Sequence, residues 1–299
     1  MTDFHSAYFA YELTKRHSVQ DSEKLASVLA DAQVDLNPHQ LDAALFAFKS
    51  PLSKGSILAD EVGLGKTIEA GLVIAQKWSE GRRRIIIITP ANLRKQWAQE
   101  MADKFYLPAT ILEAKNYRQI KRDGKANPFL QSALVICSYQ FAAKYSDVLV
   151  SMQWDMAVID EAHRLRNVYK SDNKIAKAIK TALANTPKVL LTATPLQNSL
   201  LELYGLVSVI DDYAFGDLKS YKAQYSRLNG DAVFDELKSR LAPLCHRTLR
   251  RQVLEYIRYT NRIPITEDFF PSDDEMTLYE MVSEYLRRPI LHALPNSQR

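Results

Sequence analysis

Short β-type runs, mostly apolar, alternate with helically spaced apolar positions along the first two-thirds of the chain. The clearest runs are residues 56–59, 85–89, 133–137, 156–159 and 188–192, with a weaker one at 109–112. Unbroken apolarity, rather than alternation, is what a strand needs when both faces of its sheet are covered. Between the runs, Ile68, Leu72, Ala75 and Trp78 share one helical face, as do Leu93, Trp97 and Met101, and again Ile175, Ile179 and Leu183. Tight hairpin signals are missing. The pattern predicts an α/β fold: a mostly parallel central sheet covered by helices on both faces. Right-handed crossovers would then gather the C-terminal ends of the strands along one edge of that sheet.

The pattern changes beyond residue 211. Residues 213–241 read as helices rich in Tyr, Lys and Leu, and Ser272 with Glu275 forms a capping box. That box opens a helix carrying Leu278, Val282, Tyr285 and Leu286 on one face. Before residue 36, the spacing of Leu25, Val28 and Leu29 suggests a helical segment packed on the α/β lobe. The expected organisation is an N-terminal helical segment at 1–36, a lobe at 37–212 and a helical extension at 213–299.

Composition narrows this little. With 299 residues, 46% hydrophobic and 25% charged, the chain has the make-up of an ordinary globular protein, one large domain or two smaller ones. Its net charge of +4 permits a nucleic-acid partner without requiring one. Cys137 and Cys245 are too few for a disulfide framework or a zinc site, and Cys137 sits in an apolar run as a core thiol. The first residues lack a basic stretch followed by an apolar core, and no apolar run nears the roughly 20 residues of a membrane span. The expectation is a cytoplasmic protein without a membrane partner. Arg82, Arg83 and Arg84, ahead of the isoleucine-rich run, read as guards against aggregation.

Two motifs carry chemistry. After the first apolar run comes Asp60-Glu61-Val62-Gly63-Leu64-Gly65-Lys66-Thr67, leading into a helical pattern. A glycine-rich turn between strand and helix offers backbone N–H groups to an anion; Gly63 and Gly65 allow close approach to phosphate oxygens. Lys66 would reach the outer phosphates, and the Thr67 hydroxyl would ligate Mg²⁺. The general P-loop pattern has glycine where this chain has Asp60. The second motif closes the 156–159 run with Asp160-Glu161-Ala162-His163. Asp160 suits the Mg²⁺ shell, and Glu161 suits the orientation and deprotonation of an attacking water.

Together with further motifs in order, these resemble helicase superfamily 2, and within it the Swi/Snf-type ATPases of the bacterial RapA-like branch. Asn37-Pro38-His39-Gln40 is similar to the motif that reads adenine, although Asn37 and Pro38 also suit a helix start. The leading Asp60 is normal in that family's first motif. Thr89-Pro90-Ala91-Asn92-Leu93 with Gln96-Trp97 resembles motif Ia, Asp160 through Asn167 motif II, and Leu191 through Asn198 motif III. The resemblance implies a RecA-like lobe that binds ATP and Mg²⁺ and works on double-stranded DNA in the bacterial cytoplasm or nucleoid. It implies Gln40 at adenine, Gly63, Gly65, Lys66 and Thr67 at the phosphates, and Asp160 and Glu161 at the catalytic centre. His163, Thr192 and Thr194 would couple the nucleotide to the nucleic acid.

In such a family the nucleic-acid backbone meets the turn at Thr89 and Pro90 and the following helix, with Arg94 and Lys95 at hand. The same two basic residues also fit the solvated face of a helix. Arg247, Arg250 and Arg251 lack the flanking glycines and preceding strand of an arginine-finger motif. Motifs IV to VI do not occur in the chain, so the expectation is a first lobe whose second RecA-like lobe, in trans or from another protein partner, completes the engine. Alternatives are a nucleotide- or DNA-binding module without turnover, half of a split motor, or an RNA helicase of the same superfamily.

Overall fold

Every predicted strand forms in the computed structural model, which describes residues 33–34, 36–48, 54–122, 127–225, 231–257 and 265–287. The strands are β1 (Gly55–Leu58), β2 (Ile85–Thr89), β3 (Ala109–Ile111), β4 (Leu134–Ser138), β5 (Met156–Asp160) and β6 (Lys188–Leu191). A seventh, β7 (Cys245–His246), was not foreseen. Two residues are too short to leave a periodic signal, and β7 exists because it pairs with β1. The sheet order is β3-β4-β2-β5-β6-β1-β7, and every pair is parallel.

Side chains alternate across the sheet, so each apolar strand feeds two cores. Ile86 and Ile88 join one core with Val135, Ile159 and Leu190; Ile85 and Ile87 join the other with Ile136, Val158 and Leu191. Complete burial of an isoleucine side chain contributes about 1.5–3 kcal/mol, which is why four in a row in β2 act as a staple through the middle of the lobe. Helices α1 (Pro38–Phe48), α2 (Lys66–Ser79) and α3 (Arg94–Phe105) serve the second core through Ala43, Leu72, Trp97 and Met101. Beyond them in sequence are α4 (Ala114–Arg122), α5 (Tyr139–Lys144) and α6 (Ser146–Ser151). Helices α7 (Lys174–Ala182) and α8 (Leu200–Ile210) serve the first core through Ile179, Leu203 and Leu206.

The buried face of α7 is rotated slightly from expectation. Ile175 is 40% exposed, and Ala176 faces inward in its place, next to the Asn173 side chain that caps the helix by accepting from Ala176 N. Helix α8 approaches the backbone after β5 so closely that a Cβ on Gly205 would lie 1.8 Å from the Arg166 carbonyl oxygen.

The lobe does not end at residue 212. Helices α9 (Leu218–Tyr225) and α10 (Asp231–Leu241) send Tyr221, Tyr225 and Leu237 into the first core, and β7 completes the sheet beyond them. The chain divides into two compact units, Met1–Ile257 and Arg258–Arg299. In the second unit, α11 (Asp273–Leu286) opens on the foreseen box, with Ser272 N donating to Glu275 Oε2 and the Ser272 side chain accepting from Glu275 N. Its Leu278, Val282, Tyr285 and Leu286 are exposed. The helical spacing before residue 36 lies outside the described residues. Among the described residues, no helix is long and apolar enough to cross a membrane.

Candidate functional site

Strand β1 ends at Leu58 and α2 begins at Lys66, so residues 59–65 form the predicted turn. Gly63 and Gly65 have φ of 85° and 90°, a left-handed backbone that favours glycine. A Cβ on Gly65 would also come within 2.4 Å of Gln40 Nε2 and would displace that amide. Gly65 is the N-cap of a 14-residue helix and supplies no side-chain cap. Lys66 Nζ donates to the carbonyl oxygens of Asp60 and Glu61, at 2.8 and 3.3 Å. Burial lowers its pKa, opposed by the nearby Glu69, Glu161, Asp60 and Asp160. A partly desolvated ammonium resting on neutral carbonyls, beside an uncapped helix N-terminus, fits an entering phosphate.

Asp60, the departure from the general pattern, is a buried strut. Its Oδ1 accepts from Thr248 N at 2.7 Å and lies 3.4 Å from His246 Nδ1. Beneath it, Glu69 is fully buried, and desolvation and then the Asp60 charge push its pKa up to about 9. A folded pKa above the ordinary 4.5 means that the native state holds a proton the unfolded chain gives up. This contribution to stability is complete below about pH 4.5, drains as pH rises toward 9, and is gone above it. Glu69→Gln should therefore raise the melting temperature by an amount that grows across that window. A pH-independent difference between the two melting curves would disprove it.

The strand-end carboxylates are held differently from each other. Asp160 Oδ2 accepts from Thr89 Oγ1 at 2.9 Å and Trp97 Nε1 at 2.8 Å, while Oδ1 accepts from Glu161 N at 2.9 Å. Burial raises the Asp160 pKa, with the Trp97 and Thr89 bonds opposing. Such an oriented, partly desolvated carboxylate fits a cation. Glu161 has φ of 53°, a left-handed conformation that costs a non-glycine residue about 1–2 kcal/mol. Its Oε2 lies 3.0 Å from His163 Nδ1, and this histidine holds the Glu161 carboxyl below its usual range.

The remaining expected site residues are held as follows. Gln40 is buried, its carboxamide accepting from Asn37 N at 3.1 Å and donating to Leu64 O at 3.0 Å. In this conformation it ties α1 to the P-loop. Thr192 is buried and accepts from Thr194 N at 3.2 Å, whereas Thr194 is exposed. The observed link between motifs II and III is Arg166, which sequence reasoning passed over: its Nη1 donates to Gln197 Oε1 at 2.7 Å, and Nε lies 3.6 Å from Glu202 Oε1. Of the nucleic-acid candidates, Thr89 and Pro90 are buried, with the Thr89 hydroxyl committed to Asp160. Arg94 bonds Ala91 O at 3.0 Å and Glu113 Oε2 at 3.3 Å, which leaves Lys95 as the exposed member of that set.

The SNF2-related domain family matches residues 13–285. The chain is 35% identical over 226 residues to the RNA polymerase-associated protein RapA of Pectobacterium carotovorum, covering 73% of this chain and 23% of that protein. It is 31% identical over 278 residues to the uncharacterized ATP-dependent helicase YqhH of Bacillus subtilis, covering 91% and 46% respectively. The SWI2/SNF2 ATPase core of Sulfolobus solfataricus, solved in complex with double-stranded DNA, aligns with a TM-score of 0.61 at 22% identity, over 74% of this chain and 46% of that one. This last likeness establishes the fold. The chain spans between about a quarter and a half of the length of these relatives.

Proposed function

The chain belongs to the SNF2-related family, and from that premise we propose that it is the ATP-binding first lobe of a motor that tracks along double-stranded DNA, with ATP hydrolysis dependent on the DNA. The observation that carries this reading is the meeting of Lys66 with the Asp160–Glu161 pair. They come from sequence positions far apart, yet both lie at the C-terminal ends of parallel strands of one sheet, where the carboxylates help to hold up the Lys66 pKa against burial. The strands that bear them, β1 and β5, flank β6 in the sheet.

In this reading the amides at Gly63 and Gly65, with Lys66, hold the phosphates. Thr67 and Asp160 would hold Mg²⁺, which would supply neutralisation of phosphate charge. Glu161 orients water and accepts its proton. Gln40 acts on the nucleotide by fixing the P-loop, and adenine contact requires it to release Asn37 and Leu64. His163 and Thr192 form the route by which occupancy reaches the nucleic-acid side, assisted by Arg166. A second RecA-like lobe, in the same protein or in trans, supplies arginines worth about 10³–10⁵ in rate in related NTPases. The isolated chain is accordingly weak or inactive.

Phosphate release by this chain, alone and mixed with a second lobe, measured with duplex DNA, RNA or neither, tests the proposal. Stimulation by duplex DNA supports it. Stimulation by RNA alone transfers the assignment to an RNA helicase, and ATP binding without turnover in any mixture favours a nucleotide-binding module. Absence of ATP binding overturns the proposal.

A further inference from the structure

Residues 246–257, which sequence reasoning set aside, run along the outer side of the P-loop. Ala59 N donates to His246 O at 2.7 Å, Glu61 N to Thr248 O at 3.1 Å, and Arg250 N to Glu61 Oε2 at 2.8 Å. The Arg250 guanidinium then closes on the Val62 carbonyl through Nε at 3.0 Å and Nη2 at 2.6 Å. A Cβ on Gly63 would stand 3.3 Å from that same Nη2. Further on, Tyr256 stacks on His39, with ring centroids 5.9 Å apart and its hydroxyl 3.3 Å from His39 Nδ1. His39 Nε2 meets Leu64 O at 2.8 Å. A carbonyl partner requires the proton on Nε2, so Nδ1 accepts from the Tyr256 hydroxyl.

The loop carbonyls are thus pinned from two sides. Asp60 and Glu61 rest on Lys66, Val62 on Arg250, and Leu64 on His39 and Gln40. In a trans peptide the N–H points opposite to the carbonyl. Holding the Val62 and Leu64 carbonyls therefore fixes where the Gly63 and Gly65 N–H groups point. When a phosphate takes Lys66, the loop loses the cation on its first two carbonyls, and Arg250 remains on the third.

We propose that Arg250, with Tyr256 acting through His39, is a positioning residue for the nucleotide: it keeps the P-loop amides in their anion-receiving arrangement while Lys66 changes partners. The inference rests on the reading that this loop binds ATP. Two measurements on the full chain test it, using Arg250→Ala, Arg250→Lys and Tyr256→Phe. Amide hydrogen exchange at residues 61–65 without nucleotide should speed up in Arg250→Ala. The dissociation constant of a fluorescent MgADP analogue should rise about 3- to 10-fold, as expected for loss of a solvent-screened hydrogen bond from a charged donor. Arg250→Lys keeps the cation without the fork and should fall between. Tyr256→Phe keeps the ring and should give a smaller rise of the same sign.

A purely structural staple would lower the melting temperature without nucleotide and leave the nucleotide-induced increase intact; that result overturns the inference. So does unchanged affinity in Arg250→Ala beside normal binding by the unaltered chain. If the unaltered chain binds no MgADP at all, the ATP reading falls and takes this inference with it, even if Arg250→Ala still loosens the loop.

Discussion

Lys66→Ala should weaken ATP binding by about 2–5 kcal/mol, the range for truncating one partner of a desolvated charge pair, which is roughly 30- to several-thousand-fold. The reason lies in what Lys66 does in the absence of nucleotide. Its ammonium is partly desolvated and rests on the Asp60 and Glu61 carbonyls, a weaker set of partners than phosphate oxygens. Phosphate binding exchanges neutral acceptors for charged ones without moving the helix that carries the lysine. The alanine variant loses that exchange. Its fold should survive, because Gly63, Gly65 and the Gln40–Leu64 bond keep the loop in shape. Equilibrium binding of a fluorescent ATP analogue, beside a melting curve for each protein, checks both halves. Wild-type affinity and turnover in Lys66→Ala would remove the phosphate role from this residue.

The parts of this site that could be read from the sequence are those where one strand or one helix dictates the result. Apolar runs long enough to cross a doubly covered sheet declared β1 to β6, and the Ser272–Glu275 box marked the start of α11 because capping is local. The lysine and the carboxylate pair were legible because a parallel sheet brings strand ends to one edge regardless of sequence separation. What stayed hidden depends on chain segments meeting from afar. Strand β7 is two residues long and defined by its partner, and the Asp60–Thr248 bond spans 188 positions. Nothing near Arg250 announces that its target is the Val62 carbonyl. The Thr89 hydroxyl's partner was hidden for a related reason: at a strand end, a hydroxyl can face solvent or the neighbouring strand's carboxylate, and only the β2–β5 register decides for Asp160.

Glu161→Gln should leave ATP bound and reduce hydrolysis by about 10²–10⁴-fold in a two-lobed protein, the usual contribution of a positioned general base. Binding should persist for three reasons. Glutamine matches glutamate in shape and pays a similar cost for the left-handed backbone at φ 53°. Losing the Glu161 charge removes a repulsion that raises the Asp160 pKa, so Asp160 ionises more readily for Mg²⁺. The bonds from Thr89 and Trp97 to Asp160 do not involve Glu161 at all. Only the proton acceptor is lost. His163 holds the Glu161 carboxyl below its usual range, so titration of the base itself should not limit the rate near neutral pH. Single-turnover phosphate release and nucleotide affinity, measured on the same preparation, separate the two effects. Turnover at the wild-type rate in Glu161→Gln would take the base role from this residue. Loss of affinity in step with rate would instead make Glu161 part of the binding site for Mg²⁺ and ATP.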